Sequence, residues 1–345
     1  MTDAIHQLDH LKLAHYLETE LPGFKGPLQA DKFTGGQSNP TYKITASSGV
    51  YVLRKQPPGV LLKSAHAVDR EFRVMKALSQ TNVPVPEMHH LCLDTGIIGS
   101  LFFIMEYKPG RTFWDCAVPE VGKSERSQIY DEINRVLSEL HSVDIDQVGL
   151  SDFGRPGNYY ARQLKRWTQQ YRASQFEEDI AEMEWLIPWL QENLPEDDGR
   201  VTLVHGDYRL DNLRYESHEP RCAAVLDWEL STLGHPFSDL ANHCMQQRMP
   251  SRVANMSGLA EANLAELGIP TEEEFIEKYC ERTGIAQIDN WAFYLSFSLF
   301  RLAAILQGVA KRGRDGNASS AMAKNIHKHV APLAVMSKDI AVNGP

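Results

Sequence analysis

One short segment constrains the fold more than any other feature, because it contains two strand-like stretches separated by a polar turn. Residues 213–215 and 222–226 carry apolar and β-forming side chains, and residues 216–220 between them are polar and end in proline. This pattern predicts an antiparallel hairpin. Since positions 212 and 227 are equally distant from the middle of the turn, we expect the hairpin to bring Asn212 and Asp227 side by side at its open end.

A third polar residue, Asp207, lies just before the hairpin, on a loop that leaves the apolar stretch 203–204. With Asn212 and Asp227 it offers two carboxylates and one carboxamide to the same cleft. Such oxygen ligands suit Mg²⁺ that is shared with phosphate oxygens. A carboxylate can instead orient a hydroxyl group and accept its proton. The segment therefore predicts phosphoryl transfer, because that reaction depends on positioning and on charge neutralisation.

Two other interpretations of this segment stay open. His205, Asp207, Asp211 and His218 could form the metal site of a hydrolase, although His218 falls in the hairpin turn and thus away from the open end. Alternatively, the chain could bind nucleotide without catalysing a reaction, which the presence together of the three oxygen-bearing side chains argues against. For His205, at the end of a strand, we predict a hydrogen-bonded scaffold role.

The spacing of these residues resembles that of a known protein family. The pattern His205-x-Asp207-x-x-x-x-Asn212, followed by an apolar strand that ends in Asp227, resembles the catalytic loop and metal-binding aspartate of the protein-kinase-like fold. The forms His-Gly-Asp and Asp-Trp-Glu are similar to the aminoglycoside phosphotransferase and choline kinase branch, and within it to the kinase-like domains associated with acyl-CoA dehydrogenases. The resemblance implies that Asp207 is the catalytic residue and that Asn212 and Asp227 bind Mg²⁺, with ATP as co-substrate.

The first hundred residues carry the parts of the resemblance that concern the nucleotide. Residues 33–42 are similar to the family's nucleotide loop, in which glycines and small polar residues let backbone amides approach phosphates. Residues 51–55 resemble the strand that presents a phosphate-binding cation, and residues 101–107 resemble the strand and hinge that read the adenine. The residues that the resemblance implies in nucleotide binding are Gly35, Gly36, Gln37, Ser38, Asn39, Arg54, Glu71 and Glu106.

Glu71 tests this assignment from within the sequence. It lies on the apolar face of a predicted helix, where a carboxylate without a cation would be destabilising. Arg54 and Lys55 are its candidate partners, and since neighbouring residues of a strand point to opposite faces, only one of them can reach it. The match to the family favours Arg54. The alternative is a glutamate at the edge of the apolar face that reaches water along its neighbours.

The predicted elements give an α+β fold class, with the bilobed protein-kinase-like fold of a small antiparallel β-sheet lobe and a larger, mainly helical lobe. The predicted strands of the small lobe lie at 32–34, 41–45, 50–55 and 101–106. Apolar residues recur at helical spacing over 68–78, 129–140, 160–171 and beyond 237. Pro109-Gly110 sets the predicted boundary between a nucleotide-binding lobe, 1–108, and a helical lobe with the catalytic loop and hairpin, 109–345. Asp239 is predicted to have a structural role at the start of a helix, because Ser and Asp are favoured at helix caps.

Composition excludes several function classes. The chain has 35 Lys and Arg against 45 Asp and Glu, a net charge of −10, so it has no overall positive field for nucleic acid or an anionic membrane. Residues 291–310 are strongly apolar, but Arg301 in their middle favours a buried core helix in which this arginine has an internal partner. The five cysteines include no CxxC pair and residues 1–20 carry no secretory signal, which predicts reduced thiols in a cytoplasmic protein.

The predicted partner is a small molecule with a hydroxyl group, and no nucleic acid or membrane partner is expected. The resemblance to the branch associated with acyl-CoA dehydrogenases implies a hydroxyacyl-CoA or a related hydroxy acid. The wider family offers aminoglycosides and choline-like alcohols instead. ATP is preferred over GTP only because the resembled family generally uses ATP, and no oligomeric state is predicted.

Overall fold

The structure is a computed structural model that describes residues 8–33, 39–57, 67–176, 179–254, 256–315 and 326–345. The chain divides into two compact units. The first comprises residues 1–111, 148–150 and 213–231, and the second comprises residues 112–147, 151–212 and 232–345. The hairpin segment, which the sequence assigns to the helical lobe, is thus part of the first unit.

The first unit is built on a five-stranded antiparallel sheet with the strand order β1-β2-β3-β5-β4. The strands are β1 Leu28–Lys32, β2 Thr41–Ala46, β3 Gly49–Lys55, β4 Met88–Cys92 and β5 Phe102–Glu106. The strands predicted at 41–45, 50–55 and 101–106 are confirmed. The strand predicted at 32–34 lies earlier, at Leu28–Lys32, because its position is set by pairing with β2, from Leu28 opposite Ala46 to Lys32 opposite Tyr42.

Two helices, α1 His10–Glu20 and α2 Val68–Leu78, cover opposite faces of this sheet. Leu13 and Leu17 of α1 belong to the same apolar cluster as Leu53 of β3. On the other face, the ring centres of Phe72 in α2 and Phe103 in β5 lie 6.2 Å apart. Because successive strand residues point to opposite faces, Arg54, which follows Leu53 in β3, faces α2.

The predicted hairpin is confirmed, with β7 Leu213–Tyr215 antiparallel to β8 Cys222–Val225. Val225 donates its N–H to Pro84 O at 2.8 Å, and Arg111 exchanges two backbone hydrogen bonds of 2.8 Å with Tyr215. A side chain at Gly110 would place its Cβ 2.0 Å from Tyr215 O, so only glycine permits this approach. These contacts join the hairpin to the first unit.

The second unit is mainly helical, as predicted. Its helices are α3 Lys123–His141, α4 Tyr159–Ala173, α5 Ala181–Glu192, α6 Phe237–Arg248, α7 Leu264–Leu267, α8 Glu272–Thr283, α9 Trp291–Arg314 and α10 Val330–Asn343. Two short strands, β6 Thr202–Val204 and β9 Thr232–Gly234, pair antiparallel. The apolar stripes predicted at 129–140 and 160–171 lie on α3 and α4 and are buried.

Helix α9 forms the centre of this unit and packs against α4, α6 and α10. Among the described residues it is long and apolar enough to cross a membrane by length and composition alone, with a mean hydropathy of 1.5 over its most apolar window, yet 78% of that window is buried inside the protein. Arg301 donates Nη2 to the carbonyl oxygen of Gly206. The prediction of a buried core helix with an internal partner for Arg301 is confirmed.

A buried histidine on α6 makes the stability of the second unit depend on pH. His243 is 4% exposed, its ring lies 4.5 Å from that of Phe275, and its Nδ1 has no hydrogen-bond partner within the described part of the chain. Burial lowers the pKa of His243 to about 4. An unfolded imidazole titrates near 6.5, so its neutral form contributes stability above that pH which is lost as the pH falls toward 4.

We therefore expect His243→Leu to flatten the pH dependence of unfolding. Between pH 7 and pH 4 the wild-type protein should lose about 3 kcal/mol more of its free energy of unfolding than the variant does. Urea denaturation at a series of pH values measures this difference. Parallel curves for the two proteins would show that His243 is already accessible to protons in the folded state.

Candidate active site

The loop between β6 and β7 carries the predicted catalytic residue and is held by a buried carboxylate. Asp239, fully buried in α6, accepts hydrogen bonds from the N–H groups of His205, at 2.6 Å, and Gly206, at 2.8 Å. Its Oδ2 also lies 3.4 Å from His141 Nε2. Burial alone would raise the pKa of Asp239, but these donors, His141 first among them, hold it below its usual value. The carboxylate is therefore charged and fixes the backbone just before Asp207.

This contact confirms the structural role predicted for Asp239 at a helix start and shows what it consists of. Helix α6 begins after Pro236, without a side-chain cap, and Asp239 is the third residue of the helix. It does not cap its own helix, because the carboxylate turns toward two backbone N–H groups that the sharp turn at Gly206, with φ +84°, leaves available.

Asp207 and Asn212 are brought together within this loop. Asn212 Nδ2 donates to the backbone oxygen of Asp207 at 2.8 Å and lies 3.2 Å from its Oδ2. The other carboxylate oxygen of Asp207 lies 3.1 Å from Arg209 Nε, and Arg209 also pairs with Asp211 at 3.1 Å. The Asp207 side chain stays 32% exposed. The loop thus presents a carboxylate that is oriented by its neighbours and still reachable by another molecule.

His205 has the predicted scaffold role. It is fully buried, and its Nδ1 accepts a hydrogen bond from the N–H of Asp207 at 3.2 Å. The metal-hydrolase alternative required this histidine to share an ion with Asp207, Asp211 and His218. Across the described ranges, no group of three or more His, Cys, Asp and Glu side chains is placed to hold a metal ion, so that alternative gains no support.

The first unit carries the predicted phosphate-binding cation. Arg54 Nε lies 2.9 Å from Glu71 Oε2, and its Nη2 lies 2.5 Å from Asp227 Oδ1 and 3.9 Å from Glu229 Oε2. Glu71 is 1% exposed and also accepts a hydrogen bond of 2.7 Å from Asn39 Nδ2. The inward orientation predicted for Glu71 is confirmed, and its cation is Arg54.

Within the described part of the chain, the guanidinium of Arg54 faces three carboxylates. Burial, the largest effect, raises the pKa of Glu71 to about 7, and the charges of Asp227 and Glu229 act in the same direction against that of Arg54. Burial opposes the charge of Arg54, but the carboxylates raise the pKa of its guanidinium. A further cation near these carboxylates would be stabilised by their negative charge.

Asp227 is held in place by the turn that follows β8. Its backbone lies in the left-handed region, with φ +66°, and a 3₁₀ turn at Trp228–Leu230 follows directly. Trp228 is buried and donates Nε1 to Val225 O at 2.9 Å. The Asp227 side chain remains 37% exposed. The anchored tryptophan therefore aims Asp227 toward Arg54 while leaving part of its carboxylate in solvent.

The residues predicted to bind Mg²⁺ fit that ion in their donor atoms. The amide nitrogen of Asn212 is engaged by Asp207, which leaves its oxygen as the free donor. One carboxylate oxygen of Asp227 contacts Arg54, which leaves the other. Mg²⁺ takes oxygen ligands and commonly uses only one or two protein groups besides water and phosphate. Asn212 and Asp227 supply that kind of ligand.

The remaining predicted nucleotide residues have more varied surroundings. Glu106 pairs with Lys108 Nζ at 2.8 Å and accepts a hydrogen bond from the N–H of Glu87 at 3.1 Å. Asn39 is buried and its amide is directed to Glu71. The remaining loop residues, Gly35, Gly36, Gln37 and Ser38, lie outside the described residues.

Three charged residues at these sites were not predicted as site residues. Arg209 and Glu229 each follow a predicted residue by two positions, and that proximity in sequence is the signal that could have identified them. Arg301 stood out as a lone charge in an apolar helix, but nothing in the sequence indicated that its partner would be Gly206.

The Arg54–Glu71 pair should be essential to the stability of the first unit. In Arg54→Met, Glu71 would be buried without its cation, and we expect a loss of about 3–5 kcal/mol in the free energy of unfolding. The double variant Arg54→Met/Glu71→Met should recover most of that loss, because it removes both charges. Lys55→Met is the matched control: Lys55 is 5% exposed, burial lowers its pKa, and it should lose little. Denaturant unfolding of the four proteins measures this, and a double variant as unstable as Arg54→Met would contradict it.

Comparison with known proteins identifies a family and a fold for this chain. The phosphotransferase enzyme family model matches residues 30–277. A putative aminoglycoside phosphotransferase from Ralstonia eutropha is 45% identical, with a TM-score of 0.88 over 98% of this chain and 99% of that one. A thermostable aminoglycoside phosphotransferase solved with ADP and hygromycin B shares the fold, with a TM-score of 0.61 over 96% of this chain and 97% of that one, at 15% identity.

Curated relatives show where else such a chain occurs. Acyl-CoA dehydrogenase family member 10 of Mus musculus is 48% identical over 92% of this chain, and family member 11 of Homo sapiens is 42% identical over 95% of it. The chain spans only 29% and 42% of the length of these two proteins. The predicted resemblance and the predicted α+β kinase-like fold are confirmed. The chain belongs to the phosphotransferase enzyme family.

Proposed function

We propose that this chain transfers the γ-phosphoryl group of ATP to a hydroxyl group of a small molecule. The observation that carries the proposal is the Asp207 carboxylate, which is partly exposed on a loop whose backbone the buried Asp239 holds. A carboxylate fixed in this way can orient a hydroxyl group and accept its proton. Phosphoryl transfer depends on that kind of positioning more than on covalent participation of the protein.

In the proposed reaction the acceptor oxygen forms a bond to the γ-phosphorus, and the bond from that phosphorus to the β–γ bridging oxygen breaks. The hydroxyl proton passes to Asp207, and ADP leaves with the bridging oxygen. Arg54 would neutralise phosphate charge, since a guanidinium makes strong charge-assisted hydrogen bonds to phosphate. Its contact with the buried Glu71 at 2.9 Å would keep it oriented for that role.

The proposal also assigns the residues that would bind the metal ion and the rest of the nucleotide. Asn212 and Asp227 would hold Mg²⁺, which when bound would neutralise charge on the phosphate oxygens. The loop that contains Gly35, Gly36, Gln37, Ser38 and Asn39 would face the phosphates, and the strand end at Glu106 would face the adenine. We place the activity in the cytoplasm, in keeping with five cysteines that are all free thiols.

For the acceptor we propose a hydroxyacyl-CoA or a related hydroxy acid. The support is the occurrence of similar chains within proteins named acyl-CoA dehydrogenases, at 48% and 42% identity. A kinase attached to such an enzyme would act on the same class of thioester. Solved members of the fold take other acceptors, such as the hygromycin B bound to one of them, so amino sugars and amino alcohols are the competing substrates.

A nucleotide-consumption screen tests the proposal. Hydroxyacyl-CoAs, free hydroxy acids, amino sugars and amino alcohols would each be incubated with ATP, with Mg²⁺ present or chelated. We expect ADP and a phosphorylated product, identified by mass spectrometry, from a hydroxyacyl-CoA or hydroxy acid, and only with Mg²⁺. Nucleotide binding without consumption would indicate a catalytically silent scaffold. Hydrolysis of an ester without nucleotide would indicate the hydrolase instead.

A further inference from the structure

Two arginines of the second unit lie against one tryptophan. The guanidinium carbon of Arg166, in α4, lies 4.9 Å from the centre of the Trp167 ring, and that of Arg301, in α9, lies 5.6 Å from it. The Trp167 side chain is buried, so the ring is a fixed platform. Cation–π attraction can hold a guanidinium on an indole face, and here two positive charges share one ring.

No described carboxylate neutralises either charge. Across the ranges that the structure describes, no carboxylate lies within ion-pair distance of Arg166 or Arg301, and the polar contact of Arg301 is with the carbonyl oxygen of Gly206. Six other arginines of the same unit do pair with carboxylates, namely Arg135, Arg172, Arg200, Arg209, Arg248 and Arg282. Partial desolvation and the nearby charge of Arg301 both lower the pKa of Arg166. An arginine nevertheless stays charged in a protein, so an anion would stabilise the pair.

The pair lies next to the proposed catalytic residue. Arg301 binds the carbonyl of Gly206, and Asp207 is the next residue in the chain. An anion held by these arginines would therefore belong to the molecule that is presented to Asp207. Because the net charge of the chain is −10, no general positive field attracts such a molecule, and a local pair of cations is needed.

We propose that Arg166 and Arg301 form an anion-binding subsite for the phosphoryl acceptor. The acceptor then carries a carboxylate or phosphate group in addition to its hydroxyl group, and cationic amino sugars and amino alcohols are rejected. This inference rests on the proposed phosphotransferase function and assigns two specificity-determining residues to it. Guanidinium groups suit this task because they bind both oxyanions through paired hydrogen bonds.

The kinetic test compares Arg166→Gln with the matched control Lys165→Gln. Lys165 is the preceding residue of α4, is exposed, and loses the same charge. Arg166 is also exposed, and among the described residues it makes no hydrogen bond to the backbone, so the fold should persist on substitution. Two acceptors would be used, a hydroxyacyl-CoA and the same hydroxyacyl group on uncharged N-acetylcysteamine.

We expect Arg166→Gln to raise the KM for the CoA ester about tenfold or more, as expected for a lost hydrogen bond to a charged group, and to leave the uncharged thioester unaffected. Lys165→Gln should behave as wild type with both. Arg301→Gln keeps an N–H that can reach the Gly206 carbonyl while it removes the charge, and it should lower the preference for the CoA ester in the same way. Equal KM values for the CoA ester in Arg166→Gln and Lys165→Gln, together with equal affinities for a free hydroxycarboxylate, would overturn the subsite.

A binding measurement separates this inference from the proposed function and identifies the anion. With the nucleotide site saturated by ADP and Mg²⁺, coenzyme A or a free hydroxycarboxylate is titrated by calorimetry into wild type and Arg166→Gln. Weaker binding of coenzyme A to the variant assigns the pair to phosphate, and weaker binding of the hydroxycarboxylate assigns it to a carboxylate. If Arg166 affects neither anion, the subsite is wrong even where turnover is observed. If it affects one and no acceptor is phosphorylated, the subsite stands and the transferase proposal fails.

Discussion

Asp207→Ala should abolish phosphoryl transfer and leave nucleotide binding largely intact. A positioned general base contributes about 10²–10⁴ to a rate, and Asp207 also orients the acceptor, so we expect kcat to fall by at least about 10³. The Kd for nucleotide with Mg²⁺ should stay within about threefold of wild type, because Asp207 is not a proposed nucleotide or metal ligand and Asn212 keeps its hydrogen bond to the backbone oxygen of residue 207. Single-turnover kinetics and calorimetry give the two quantities separately.

The matched control for this variant lies in the same loop. Asp211 shares Arg209 with Asp207, at 3.1 Å from each of their carboxylates. Asp211→Asn therefore removes one charge and one Arg209 contact without removing the proposed base, and it should retain most of the activity. Asp207→Asn keeps the shape of the side chain and should be nearly as inactive as Asp207→Ala. Wild-type turnover in Asp207→Ala would refute the assigned role.

Helices and strands with a clear local sequence pattern could be predicted from the sequence. The hairpin follows from two strand-like stretches around a short polar turn, and its register pairs Leu213 with Val225. Strand β1 was displaced in the prediction because only Leu28 of its five residues is buried, so it lacks the alternation that marks a strand. Helix α1 was missed because its buried stripe consists of only Leu13 and Leu17. Such elements are defined by what they pack against.

In the candidate site, too, contacts with a local sequence signal could be predicted and contacts between distant residues could not. The pairing of Glu71 with Arg54 was predictable, because a carboxylate on an apolar helix face needs a cation. The contacts that hold the catalytic loop could not be predicted from the sequence. Asp239 reaches its N–H partners from 34 and 33 positions away along the chain, and Arg301 reaches Gly206 from 95. No local pattern encodes such partners, so the structural role of Asp239 at a helix start could be predicted but its partners could not.

The charge around Arg54 explains why a metal should matter to this protein. Three carboxylates surround one guanidinium, and burial raises the pKa of Glu71 to about 7. A nucleotide triphosphate would bring more negative charge to the same place. Without a second cation, the phosphates would have to compete with Asp227 and Glu229 for Arg54. A bound Mg²⁺ would relieve that competition, since it neutralises the phosphates and the aspartate together.

Asp227→Ala should accordingly change nucleotide affinity in opposite directions with and without the metal. We expect the gain in affinity that Mg²⁺ provides to fall by on the order of 100-fold, because one of the proposed ligands is lost. In the presence of a chelator, the variant should bind ATP as well as wild type or slightly better, because Arg54 is released from a carboxylate 2.5 Å away. Calorimetry with and without Mg²⁺ measures both effects in the same protein.

Glu229→Gln separates the loss of a ligand from the loss of a charge. Glu229 lies 3.9 Å from Arg54 and is not a proposed ligand, so its substitution removes the same negative charge from the same cluster. It should bind metal-free ATP slightly better than wild type and keep the full gain from Mg²⁺. If Asp227→Ala and Glu229→Gln lowered the gain from Mg²⁺ equally, Asp227 would act only through its charge, and the metal site would have to be built from other residues.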